Sequence, residues 1–185
     1  MFWELIKITD ISSKDLDAAY NALHPSRRAH IDCLKQESDR LCSLGGEILA
    51  KKLLKKHYGI DNAVIERADN GRPYVMDSNI YISISHCDEI VVCAVDTAPV
   101  GIDIERIRPV KEALINRVCT MEEAEYLSSA KSGEEGLYRV FEVWTAKEAY
   151  FKKQGTGITQ LNSINVLNLK RQVTRMDDYL IQTVK

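Results

Sequence analysis

The chain has 185 residues, of which 45% are hydrophobic and 28% charged, and its net charge is −2. These are the proportions of an ordinary globular protein, long enough for one good core or two small lobes. So small a net charge gives no field that would draw in nucleic acid or an acidic membrane, and no apolar run is long enough to span a bilayer.

The opening Met1-Phe-Trp-Glu-Leu-Ile-Lys7 is too short and too charged for a signal peptide. The five cysteines are odd in number and form no Cys-x-x-Cys. They read as reduced thiols of a cytoplasmic protein, not a disulfide frame or a zinc site.

In chain order, residues 2–8 read as a strand and 13–23 as a weak helix, followed by His24-Pro25 and a basic cluster of Arg27, Arg28 and His30. Leu41, Leu44, Ile48, Leu53 and Leu54 fall at helical spacing, so a long helix is expected from about Leu34 to His57, stopping at Gly59. Gly45 and Gly46 inside it each weaken a helix by roughly 1 kcal/mol against alanine. Close packing against another backbone is the expected reason. Asp69-Asn-Gly-Arg-Pro73 is a turn. Ile80, Ile82 and Ile84 alternate with polar residues as in a half-buried strand, and 90–95 and 100–105 read as buried strands. Thr120-Met-Glu-Glu123 has the form of a capping box opening a helix to about Ser129. A helix over 136–153 follows, then strands near 163–169 and 178–184. The order suggests an α+β protein of two lobes, 1–100 and 101–185, with a cleft at the seam.

Two segments carry the chemistry. In Gly101-Ile-Asp-Ile-Glu105, alternation along a strand points Asp103 and Glu105 the same way, with Ile102 and Ile104 opposite. In Trp144-Thr-Ala-Lys-Glu-Ala-Tyr-Phe-Lys152, Trp144, Glu148 and Lys152 share one helical stripe, with Lys147 beside it. Gly155 and Gly157 suit a helix stop. Either segment alone is more often solvated surface. Together, three carboxylates and two ammonium groups would hold a hard dication and a phosphorylated ligand.

Gly71-Arg-Pro73, Ile82-Ser-Ile-Ser-His86 and the two segments above occur in that order over about Pro25 to Ile158. In this the chain resembles the 4′-phosphopantetheinyl transferases of the surfactin-synthetase-activating type. The resemblance implies two similar α+β lobes related by a pseudo-two-fold, with the active site in the cleft between them. It implies transfer of 4′-phosphopantetheine from coenzyme A to a serine of an acyl or peptidyl carrier protein, with release of 3′,5′-ADP, by a cytoplasmic monomer. Asp103, Glu105 and Glu148 match the magnesium ligands. Glu148 also matches the proposed base, and Lys152 the lysine that steadies the pyrophosphate and leaving group; Asp103 and Lys147 lie beside the phosphates. Ser85 and His86 match contacts to the coenzyme A phosphates, Arg72 a contact near adenine, and Arg27 and His30 the holders of the 3′-phosphate. For Arg27 and His30 the alternative is a solvated charge cluster; for His86, a satisfied histidine at the edge of a core. Trp144 reads as core.

Two departures stand out. The family usually has an arginine at the position of Cys42, contacting the 3′-phosphate, and it closes the second lobe with a strand beyond the segment matching Tyr179–Thr183. The expectation is therefore weaker discrimination against dephospho-coenzyme A and a second lobe that either lacks its last strand, as in a truncated form, or is completed otherwise. Arg106, Arg108, Lys111 and Arg117, set among Ile107, Val110, Leu114 and Ile115, would suit an acidic amphipathic carrier helix; the alternative is an amphipathic helix facing its own core. The competing functions are a coenzyme A-binding module without turnover and an interaction domain whose acids merely face solvent.

Overall fold

Residues 1–157 and 160–185 are described by the structure, a computed structural model. It is mixed α+β and divides into two units, Met1–Val100 and Gly101–Lys185. No helix among the described residues is long and apolar enough to cross a membrane.

In the first unit, strand β1 (Phe2–Lys7) is followed by helices α1 (Ser13–Asn21), α2 (Pro25–Asp32) and α3 (Glu37–Tyr58), then strands β2 (Ile65–Arg67), β3 (Pro73–Val75), β4 (Tyr81–Cys87) and β5 (Ile90–Asp96). β5 is the centre of an antiparallel sheet of order β1-β5-β4, and all seven of its residues are buried. A central strand covered on both faces requires a continuous apolar run, and 90–95 provides one. α3 lies on this sheet, with Leu49, Leu53 and Leu54 in the same core as Cys93 and Val95. Gly45 and Gly46 face side chains and not a backbone, correcting the expectation. A Cβ on Gly45 would lie 2.5 Å from Ile8 Cδ1, and one on Gly46 3.0 Å from Ile84 Cγ2. Pro25 opens α2 instead of ending structure, because the missing N–H is not needed in a first turn. The turn at 69–73 joins β2 and β3 as a small hairpin.

The second unit has strand β6 (Gly101–Arg106), helices α4 (Glu112–Val118), α5 (Met121–Ser128) and α6 (Gly133–Gln154), and strands β7 (Arg171–Met176) and β8 (Tyr179–Val184). Its antiparallel sheet has the order β6-β8-β7. The capping box is present: Thr120 Oγ1 accepts from the Glu123 N–H at 3.3 Å, and Glu123 Oε2 accepts from the Thr120 N–H at 2.8 Å. α6 begins at Gly133, three residues earlier than expected, because Ser132 accepts from the Glu135 N–H at 3.1 Å. It ends at Gly155 with φ 70°.

The strand expected near 163–169 is not there. Leu161–Ser163 is a 3-10 turn, and the strand comes later, at Arg171–Met176. Side chains, not a neighbouring strand, take up the backbone of this stretch: the Lys147 ammonium donates to the carbonyls of Leu161 and Ile164, and Glu123 Oε1 accepts from the Val166 N–H. Its apolar residues Ile164, Val166, Leu167 and Leu169 pack with Val143 and Ala146 of α6.

Gly101 sets how closely β6 approaches α6. A Cβ there would lie 1.8 Å from the Ala149 carbonyl oxygen, so any side chain must push strand and helix apart. Gly101→Ala is expected to destabilise the protein by about 3 kcal/mol, the upper end for overpacking. An unchanged denaturant midpoint would show that the contact can relax without loss.

Candidate active site

β6 and α6 bring the three acids together. Asp103 and Glu105 lie two apart on the strand, and Glu148 immediately precedes Ala149, whose carbonyl Gly101 approaches. One carboxylate oxygen from each acid lies within 4.8 Å of the others. Asp103 is 1% exposed, while Glu105 and Glu148 are half-buried. One turn beyond Glu148, Lys152 Nζ meets Asp103 Oδ1 at 2.6 Å. One turn before it, the Trp144 indole N–H donates to Glu148 Oε1 at 2.8 Å. The sequence placed Trp144 on the right stripe and read it as core, and its ring does pack against the α6 core; nothing in the pattern showed that its N–H would also orient a carboxylate.

Charge is under-compensated here. Burial, then the neighbouring Asp103 and Glu148, push Glu105 up to about 7. Burial and Asp103 raise Glu148 as well, opposed by Lys152 and by the hydrogen bond from Trp144. Three oxygen donors in such a cluster, held apart in charge by a single lysine, fit a hard dication such as magnesium. A measurable consequence follows for the metal-free protein. Glu105 ionises near its ordinary 4.5 when unfolded but only near 7 when folded. Its contribution is thus complete below pH 4.5 and is lost as pH rises through 7. The melting temperature in chelator is expected to fall between about pH 5 and pH 8, and millimolar magnesium to remove that fall. A pH-independent melting temperature in chelator would argue against the strained cluster.

Lys147 is not brought to the acids. Its ammonium is fully buried, 2.5 Å from Glu123 Oε2, and donates to the carbonyls of Val118, Leu161 and Ile164 at 2.8, 2.7 and 2.9 Å. With every proton engaged it holds the end of α4, the start of α5 and residues 161–164 against α6, leaving no donor for a phosphate. Val118 and Leu161 also wall a cavity of about 360 Å³ that opens on Glu148 and Trp144, with Arg117 and Asn162 in its lining.

The remaining expected residues lie in the first unit. Arg72 is half-buried, with its guanidinium 5.6 Å from the Tyr81 ring centroid, and lines a cavity of about 490 Å³ with Pro73, Tyr74 and Ser78. Ser85 is buried, and His86, near the end of β4, is exposed. Arg27 is buried on α2, with His30 exposed one turn later. Arg27 is therefore not a solvated charge, whereas His30 keeps the exposure of one. Cys42 is buried and donates its thiol to the Asp88 carbonyl at 3.3 Å. In the second unit, Val110, Leu114 and Ile115 pack on the α6 core, as in an ordinary amphipathic helix, but Arg106, Arg108, Lys111 and Arg117 stay exposed.

Three carboxylates, one buried and two half-buried, with a lysine beside them on an α+β scaffold supply the oxygen donors that a divalent cation needs. Residues 99–183 match the 4′-phosphopantetheinyl transferase superfamily, and residues 10–98 match the N-terminal region of 4′-phosphopantetheinyl transferases. The chain is 38% identical over 122 residues to 4′-phosphopantetheinyl transferase gsp of Aneurinibacillus migulanus, covering 65% of this chain and 51% of that protein. It is 30% identical over 161 residues to psf-1 of Bacillus pumilus, covering 83% and 69% respectively. To Sfp of Bacillus subtilis it is 26% identical over 160 residues, covering 84% and 71%. The chain belongs to the 4′-phosphopantetheinyl transferase family. It spans about half the length of the first of these relatives and about 70% of the other two.

Proposed function

We propose that the protein transfers 4′-phosphopantetheine from coenzyme A to a serine of an acyl or peptidyl carrier protein, with magnesium at Asp103, Glu105 and Glu148. One observation carries this reading: the three carboxylates within 4.8 Å of one another, with the Lys152 ammonium on Asp103. Bound there, magnesium would neutralise pyrophosphate charge that otherwise repels a nucleophile.

The residues divide the work. Glu148, held by the Trp144 indole N–H, accepts the serine hydroxyl proton. The serine oxygen bonds to the phosphorus bearing the pantetheine arm, and the bond from that phosphorus to the bridging oxygen breaks. The departing 3′,5′-ADP carries away the negative charge that forms on that oxygen. Lys152 lies on the acid side of the site, where it can share that charge.

The same reading takes the two units as related lobes of one enzyme; each pairs a 22-residue helix with a three-stranded antiparallel sheet. It places the protein in the cytoplasm as a monomer, a setting that suits five free cysteines. The exposed Arg108 and Lys111 are its carrier contacts. Arg108→Glu with Lys111→Glu is expected to raise KM for the carrier about tenfold, leaving coenzyme A binding unchanged. An unchanged carrier KM would remove that surface from the reading. The direct test is incubation with coenzyme A, magnesium and an apo carrier protein, followed by mass spectrometry. A phosphopantetheine mass gain on the carrier supports transfer. Coenzyme A binding with no gain would leave only a binding module.

A further inference from the structure

The first unit contains a cationic cluster that its own acceptors do not satisfy. Ser26 Oγ donates to both carboxylate oxygens of Glu66, at 2.8 and 3.0 Å, docking the start of α2 on β2. The next residue on each element is an arginine. Arg27 is 3% exposed; its Nη2 donates to Ser43 Oγ at 2.5 Å, but Nε and Nη1 have no hydrogen-bond partner among the described residues. The facing Glu47 carboxylate is 4.0 Å from Nε, beyond hydrogen-bond reach, and it also pairs with Lys51 at 3.2 Å. Glu66 is occupied by Ser26 and by His24 at 2.6 Å. Arg67, half-buried, spends Nη1 on the Gly71 carbonyl at 2.9 Å, and its buried Nε has no partner among the described residues. His30 stands exposed one turn beyond Arg27.

Buried N–H groups normally find acceptors, and two guanidiniums left with three idle nitrogens are poorly accommodated. The electrostatics agree. Burial, then Arg27, holds Arg67 down to about 10, and burial with both arginines holds His30 below its ordinary value. An anion placed among them would relieve all three. A phosphate monoester suits best, because its oxygens accept several hydrogen bonds and match the planar guanidinium fork. The position where an arginine is usual cannot help: burial pushes the Cys42 thiol up to about 11, so it stays neutral.

We propose that Arg67 is a specificity-determining residue, which with Arg27 and His30 holds the ribose 3′-phosphate of coenzyme A and supplies the guanidinium that Cys42 lacks. This rests on the transferase reading and reverses the expectation of weak discrimination against dephospho-coenzyme A. No local signal could have singled out Arg67, one charged residue in a three-residue strand. Its role depends on where α2 docks.

Calorimetric titration of the full chain with coenzyme A, dephospho-coenzyme A and inorganic phosphate tests it. The wild type is expected to prefer coenzyme A over its dephospho form by about tenfold or more, as two charge-assisted contacts to one phosphate should give. Arg67→Met should cut that preference to below about threefold with dephospho-coenzyme A affinity unchanged, and Arg67→Lys should fall between. A wild-type preference near one, or full preference retained in Arg67→Met, overturns the proposal. So does inorganic phosphate competing with coenzyme A and dephospho-coenzyme A alike. Transfer to an apo carrier alongside an unchanged preference would sink this inference and leave the transferase reading standing; absence of both transfer and coenzyme A binding would sink both.

Discussion

Glu148→Gln is expected to lower the transfer rate by about 10³-fold or more while the protein stays folded. The loss combines a general base, usually about 10²–10⁴-fold, with one of three metal oxygens. The amide keeps the size of the side chain, and its oxygen can still accept from the Trp144 indole, so the helix stripe is undisturbed. The variant also separates a site defect from a folding defect. Removing one of three crowded charges relieves Glu105, which Glu148 helps to push up to about 7. The metal-free variant should therefore melt at or above the wild-type temperature near pH 8, where the native cluster is most strained. Its magnesium requirement should rise. Steady-state rates and melting curves in chelator check both parts. A rate within tenfold of wild type would remove Glu148 as base and as an essential ligand.

Lys147→Met is expected to fail differently, through the fold. Breaking a fully buried ion pair leaves an uncompensated charge, here on Glu123, at a cost of about 3–5 kcal/mol. Three carbonyls, of Val118, Leu161 and Ile164, lose their donor as well. Against a total stability of roughly 5–15 kcal/mol this is a large fraction. Adding Glu123→Gln should recover part of it: the stranded charge is gone, and the amide oxygen can still accept from Val166 or Thr120. Denaturant midpoints of the single and double variants measure the coupling. A phosphate-binding Lys147 would give the opposite result, a stable protein that binds coenzyme A poorly.

These two residues are adjacent in sequence, and their contrast shows how far local pattern reaches. Glu148 could be read because its partners are regular: strand alternation aligns Asp103 with Glu105, and a helical turn aligns Trp144, Glu148 and Lys152. Lys147 could not, because its ammonium is claimed by carbonyls from two other segments and by the acid of a capping box. That box was visible as a helix start, yet nothing local said its glutamate would also bind Val166 and a buried lysine. The misplaced strand near 163–169 has the same origin. Its apolar residues face a core, but side chains instead of a ladder satisfy its backbone. α2 escaped notice because His24-Pro25 reads as a break unless the proline falls in a first turn.

What the residues alone determined were faces and ends: the buried run of β5, the carboxylates on one side of β6, the stripe and stop of α6. These depend on periodicity and on φ, which short stretches of chain settle for themselves. Only tertiary structure decided which faces meet. Asp103, Glu105 and Glu148 share one site because Gly101 lets a strand approach a helix carbonyl to a distance that any Cβ would forbid. That contact joins positions far apart in the chain, and its energy resides in packing and desolvation, which no local pattern records.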